Sequence, residues 1–126
     1  MGIQRRIQPT EINEYKLGGP FGHKNITVKP NASAEILEGT VVAKNTVTGL
    51  YEPYDSGGSY GLDVPALILD CRIPADATAT PFNLPSKALW MGRLNKNTIF
   101  CNGAFGADAT TIAALKWIFF DVGTNP

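Results

Sequence analysis

The sequence predicts a mainly β domain with one short helix near its C-terminal end. Three observations carry this. Thirteen glycines and nine prolines are scattered through 126 residues, a density of chain-breakers that leaves little room for long helices. Between them recur short runs rich in β-branched and aromatic residues, the types that fit a pleated, half-buried surface. Only the stretch after Asp108 combines a helix start with apolar residues at helical spacing. A chain of this length holds together on one hydrophobic core without metals or disulfides. Its 44% apolar against 17% charged residues argue against disorder throughout.

Residues 1–25 read differently from the rest. Ile3, Ile7, Ile12 and Tyr15 are spaced apolar residues that fit no single period, and Gly18-Gly19-Pro20-Phe21-Gly22 is expected to break any regular element. The segment is read as an extended arm that orders on a partner, ahead of a β-rich domain over residues 26–126. The alternatives are a loose terminus or the first strand of the domain itself.

From Asn25 the strand signals come at short intervals. Asn25-Ile26-Thr27-Val28 alternates polar and apolar and stops at Pro30-Asn31. Ile36-Leu37 precede Gly39, and Thr40-Val41-Val42-Ala43-Lys44 is a β-branched run. A turn over residues 45–49 leads to extended chain at 50–54, followed by the Gly/Ser loop Asp55-Ser56-Gly57-Gly58-Ser59. Residues 64–73 form a continuous apolar run, as expected of a strand buried on both faces. A polar, proline-containing connection over 74–85 has no clear period. Strands are expected at 88–91, stopped by Gly92, and at 98–101. Asp108 is a candidate N-cap for a helix from Ala109 to about Trp117, with Ile112, Leu115 and, if the helix runs that far, Phe119 on one face. Residues 118–122 could equally form a last strand.

Function classes are narrowed mostly by exclusion. Eleven basic and eleven acidic residues leave no net charge, so nucleic acid is not the expected partner, because binding it rests on neutralising phosphates. Arg5 and Arg6 are followed by no apolar run, so no signal peptide or membrane anchor is expected. The longest apolar stretches are too short to span a bilayer. Asn25-Ile26-Thr27 and Asn31-Ala32-Ser33 are accordingly read as chance sequons. Cys71 and Cys101 form no C-x-x-C motif and are expected to be free, buried thiols.

His23 is the sole histidine and lies between Gly22 and Lys24, where nothing suggests an activated base. A surface or interface role is expected for it. Asp55, Asp63, Asp70 and Asp76 match no calcium loop and are expected at turns and strand ends. No phosphate-binding glycine motif is present. The expectation is a protein that is not an enzyme and uses no cofactor or metal. Tyr51, Tyr54 and Tyr60 gather near the Gly57-Gly58 loop. They offer an alternative function as a carbohydrate-binding or adhesion module, although tyrosines there more often cover a core edge.

The segment from Glu38-Gly39-Thr40-Val41-Val42-Ala43-Lys44 through Gly49-Leu50-Tyr51-Glu52-Pro53-Tyr54-Asp55 resembles the lambda-type head-decoration, or capsid-stabilising, proteins of tailed phages. That family opens a strand with Gly-Thr/Ser-Val, then carries a turn, Gly-x-Tyr-x-Pro-Tyr, a Gly/Ser loop and an apolar strand ending in an acidic residue, here Asp70. The likeness extends more loosely over residues 25–122, through Gly92 to the Ala-rich helix. The proline-rich connection at 74–85 and the apolar residues 117–120 depart from the pattern.

The resemblance implies a compact β-barrel or β-tulip-like domain that forms a homotrimer. Such a trimer would sit at three-fold and quasi-three-fold positions on the outer surface of the expanded capsid, in the virion. It implies that the N-terminal arm engages the major capsid protein, which makes Ile3, Arg5, Arg6, Ile7, Ile12 and Tyr15 the capsid-binding candidates. Trp90 and Trp117 lie in apolar runs and are assigned to the core or the trimer interface.

Overall fold

The computed structural model describes residues 15–121. Eight strands and one short helix follow one another along the chain: β1 (Lys16–Val28), β2 (Val41–Lys44), β3 (Tyr51–Pro53), β4 (Leu67–Leu69), β5 (Phe82–Asn95), β6 (Phe100–Cys101), β7 (Ala104–Phe105), α1 (Ala109–Ala114) and β8 (Ile118–Asp121). The fold is mainly β, as expected from the chain-breaker density, with the one helix late in the chain.

β5 organises the sheet. One of its edges takes β1 antiparallel along nearly its whole length, from Lys16 opposite Leu94 to Val28 opposite Phe82. Its other edge takes β4 at Leu89 and Ala88, then β8 in parallel from Gly92 to Asn95. β4 pairs with β2, β2 with β3, and β3 returns to β1 through Val28 and Tyr51. Five strands thus close on themselves, which removes most of the free backbone edge such short strands would otherwise present. β8 hangs outside this ring.

The central strands feed two apolar clusters on opposite faces. Val41 and Ala43, Ile68 and Leu89 belong to one, with Tyr15, Tyr54, Leu94, Ile99, Leu115 and Ile118. Val42, Leu67, Leu69 and Ala88 belong to the other, with Ile26, Val28, Ile36 and Ile73. Successive strand residues point to opposite faces, so a strand between two cores must be apolar at every position. This is why the run at 64–73 lacks alternation, and all three residues of β4 are buried.

Several elements differ from their expected extents. The glycine-proline block at 18–22 lies inside β1 rather than ending a segment, so the first-strand alternative describes residues 16–25. The strand tolerates the block because its ladder to β5 shifts register four times between Lys16 and Ile26. Gly22 is also needed for packing: a Cβ there would stand 2.6 Å from the Trp90 indole. β5 starts at Phe82, inside the expected connection, and continues past Gly92 to Asn95. Pro85 is accommodated at a bulge opposite Asn25, where Ser86 adopts positive φ and its N–H donates to the Asn25 side chain at 2.8 Å.

The expected strand at 98–101 is shorter, and it forms a hairpin with β7 that was not anticipated. Asn102 and Gly103 both have positive φ, the turn geometry that Asn-Gly favours. Asp108 caps α1 as expected, its carboxylate accepting the Thr111 N–H at 2.8 Å. The helix ends at Ala114, however, well before Trp117, and its buried residue is Thr111 rather than Ile112. Residues 118–121 take the strand alternative. Both cysteines are free; Cys101 is buried and Cys71 only partly so.

Candidate functional site

Two groups of side chains stand out, a polar knot at the start of β1 and an aromatic edge along β8. The knot centres on Asp70, directly after β4, whose backbone N–H is held by the Lys87 carbonyl at 2.8 Å. Its side chain is only 8% exposed. Three donors from in and just ahead of β1 meet that carboxylate: the Tyr15 hydroxyl, Lys16 Nζ at 3.1 Å and His23 Nε2 at 2.9 Å. A Glu38 oxygen lies 3.2 Å from the same Tyr15 hydroxyl. Lys16 Nζ also stands 5.4 Å over the Phe21 ring.

Burial pushes the Asp70 carboxyl up, but the hydrogen bonds from Tyr15, His23 and Lys16 outweigh it and hold the group below its ordinary range. The Tyr15 phenol is pushed far up, first by burial and then by the carboxylates of Asp70 and Glu38. At neutral pH the knot is therefore an ionised carboxylate with donors converging on it. Among the described residues no serine, threonine or cysteine is hydrogen-bonded to His23. The contact with Asp70 fixes the His23 ring in place. Among the described residues no group of three or more His, Cys, Asp or Glu side chains is placed to hold a metal ion.

The aromatic edge is built by β8. Ile118 is buried, and Phe120 packs against the first cluster. The alternate residues Trp117 and Phe119 project to the other side, where they are 72% and 66% exposed. Trp90 lies beneath, edge-to-face with Trp117 at 6.4 Å between ring centroids. It is partly buried against the second cluster. Arg93 closes the end of the strand with two contacts to Asp121, at 3.2 and 2.8 Å.

The sequence-predicted site residues fare unequally. Ile3, Arg5, Arg6, Ile7 and Ile12 lie outside the described residues. Tyr15 does not belong with an accessible arm: it is 3% exposed, its ring sits in the first cluster and its carbonyl accepts the Asn95 N–H at 2.8 Å. Trp90 and Trp117 do come together. Phe119 joins them on an exposed strand, the alternative that residues 118–122 offered beside an extended helix. His23 was expected at a surface or interface and proves to be half-exposed and tied to Asp70. The role of Asp70 as a hub left no trace beyond its place at a strand end.

The three tyrosines of the alternative function do not form a common surface. Tyr54 is 3% exposed, with its hydroxyl 3.2 Å from Asp108, Tyr51 is partly buried, and only Tyr60 is exposed. Gly-x-Tyr-x-Pro-Tyr is thus a structural motif here, fastening β3 to the cap of α1. The chain matches no protein-family model and no curated protein.

Proposed function

We propose that this chain is a non-enzymatic structural protein that decorates a phage capsid, binding the outside of the expanded shell as a homotrimer and bracing it. The observation that carries the reading is the exposed aromatic edge, where Trp117 and Phe119 stand clear of the fold over Trp90. Large aromatic side chains presented together on a strand are what a protein-protein contact uses. Each presents on the order of 100–200 Å² of surface, so covering both gives roughly 5–10 kcal/mol per copy. That falls within the cost of bringing two chains together, about 4–15 kcal/mol. A closed trimer that repeats the contact three times suits such an edge better than an isolated pair does.

The capsid contact falls to the residues ahead of Tyr15. Ile3, Ile7 and Ile12 with Arg5 and Arg6 supply alternating apolar and basic groups for the major capsid protein, and a backbone that can add to a strand edge there. Ordering such a segment costs about 1–2 kcal/mol per residue, so one arm binds weakly. Three arms on one trimer raise avidity by roughly 10²–10⁴. A ligand of the expanded lattice alone stabilises that lattice by mass action.

Co-sedimentation of the purified protein with expanded capsids tests the reading. Saturable binding at one trimer per three-fold site is the expected result. No binding to expanded shells, together with a monomer in sedimentation velocity, would overturn it.

A further inference from the structure

The first half of β1 is held differently from the second. Ile26, Thr27 and Val28 make a regular ladder with Leu84, Asn83 and Phe82. Between Lys16 and Ile26 the pairing with β5 is interrupted by repeated register shifts. Bulged pairing supplies fewer and less regular backbone hydrogen bonds, so such a segment is a candidate for local opening. What fastens it is side chains, and three of them, Tyr15, Lys16 and His23, end on one carboxylate.

We propose that Asp70 is a latch, a single negative charge that clamps residues 15–24 to the end of β4, and that removing the charge frees this segment as a unit while the rest of the ring stays folded. The ionisable groups around the carboxylate define how it works. Tyr15, just ahead of β1, and Lys16 and His23 of β1 are the donors. Glu38, ahead of β2, shares the Tyr15 hydroxyl and offers an alternative acceptor of the same sign. Cys71 follows Asp70 in the chain, and Lys87 of β5 contributes its backbone carbonyl. Among the described residues only Asp70 contacts all three donors.

Opening the latch has a defined structural result. Gly22 leaves the Trp90 indole and Phe21 leaves Gly92, where each is packed so closely that a Cβ on the glycine would overlap the ring. The edge of β5 from Ala88 to Leu94 loses its partner, and the Trp90 indole loses its contact with Gly22. The proposal concerns motion within the fold and stands whether or not the chain binds capsids.

Amide hydrogen exchange followed by mass spectrometry at neutral pH, on the full chain, tests it. Asp70→Asn keeps the shape and removes the charge. Exchange in residues 16–24 should rise by about ten-fold or more, the scale of one charge-assisted hydrogen bond, and should stay faster than in β2 and β4 because the segment opens before the ring unfolds. Trypsin should cut the variant at Lys16 and Lys24 before Lys44. Should Asp70→Asn fail to fold, Tyr15→Phe and Lys16→Met each remove one donor and should give a smaller rise confined to the same segment. Exchange unchanged in residues 16–24, or no faster there than in β2 and β4 of the same variant, overturns the latch.

Discussion

The phenol of Tyr15 and the carboxylate of Asp70, 55 residues apart in the chain, share a hydrogen bond where β1 begins and β4 ends. The contact ties the entry of the chain to the middle of the sheet. It is short of solvent on both sides, and it makes the ionisation of Asp70 part of the stability of the fold.

Stability should therefore depend on acid in a set direction. The folded Asp70 carboxyl lies below its ordinary value, so its contribution is complete above the unfolded value of about 3.9. It is lost as pH falls through the lower, folded value. Urea midpoints from pH 6 to pH 2 should fall below about pH 4. Asp70→Asn should flatten part of that slope and cost about 1–3 kcal/mol at neutral pH. Asp76 and Asp108, which are also held low, leave a residual slope in the variant.

Gly22→Ala should destabilise the protein by about 1–3 kcal/mol, the usual penalty for overpacking. The new methyl would overlap the Trp90 ring, so tryptophan fluorescence should shift along with the melting curve. An unaltered emission spectrum would mean that Trp90 is not against β1.

Phe119→Ser removes an exposed side chain and should leave the folding free energy of the isolated chain within about 0.5 kcal/mol. Trp117→Ser also loses the edge-to-face contact with Trp90 and should cost about 1 kcal/mol. Both should convert the proposed trimer to monomer in sedimentation velocity. A trimer that survives both substitutions would place its interface elsewhere.

Asp108→Ala removes the cap of α1 and the partner of the Tyr54 hydroxyl. A loss of about 1–2 kcal/mol is expected from the cap. Asp108→Asn should recover most of it, because an amide oxygen can accept the same N–H. Chemical denaturation of the two variants side by side distinguishes capping from a general effect of lost charge.

Truncation has to respect where β1 starts. Deleting residues 1–14 should leave a folded protein with the wild-type melting temperature that no longer co-sediments with expanded capsids. Deleting residues 1–20 also removes Tyr15 and Lys16 from the knot and should lower stability as well. Undiminished capsid binding by the shorter deletion would sink the assigned role of Ile3, Ile7 and Ile12.

The mainly β class, the capped helix and the doubly buried β4 were legible because each rests on local signals: turn residues, an N-cap, a run without alternation. The extent of β1 was not. Glycine and proline at 18–22 signal a break when read locally, and only the indole of Trp90, far along the chain, explains why Gly22 belongs in a strand. The knot was illegible for the same reason. Tyr15, Lys16 and His23 carry no shared spacing, and Asp70 becomes their common partner only once β1 is laid beside β5. The place of Phe119 stayed open because four apolar residues in a row suit a helix or a strand, and the parallel pairing with β5 decides between them.

The two-sided burial of β2 and β4 bears on how the chain avoids misfolding. In a strand with one wet face, slipping by one residue forces polar groups inward and is penalised at once. Val41-Val42-Ala43 and Leu67-Ile68-Leu69 exchange one apolar face for another when they slip. Lys44 and Asp70 at their ends oppose a slip in one direction only, and within the strands polarity does not guard alignment. Volume and turns must. Asn45 clamps the β2–β3 turn, its side chain accepting the Val47 and Thr48 N–H groups and its carbonyl the Gly49 N–H. Thr40, buried just ahead of β2, bonds through its hydroxyl to the Leu37 carbonyl at 2.6 Å. These small anchors at either end of a four-residue strand act as its stops, and errors of alignment should appear there before they appear in the core.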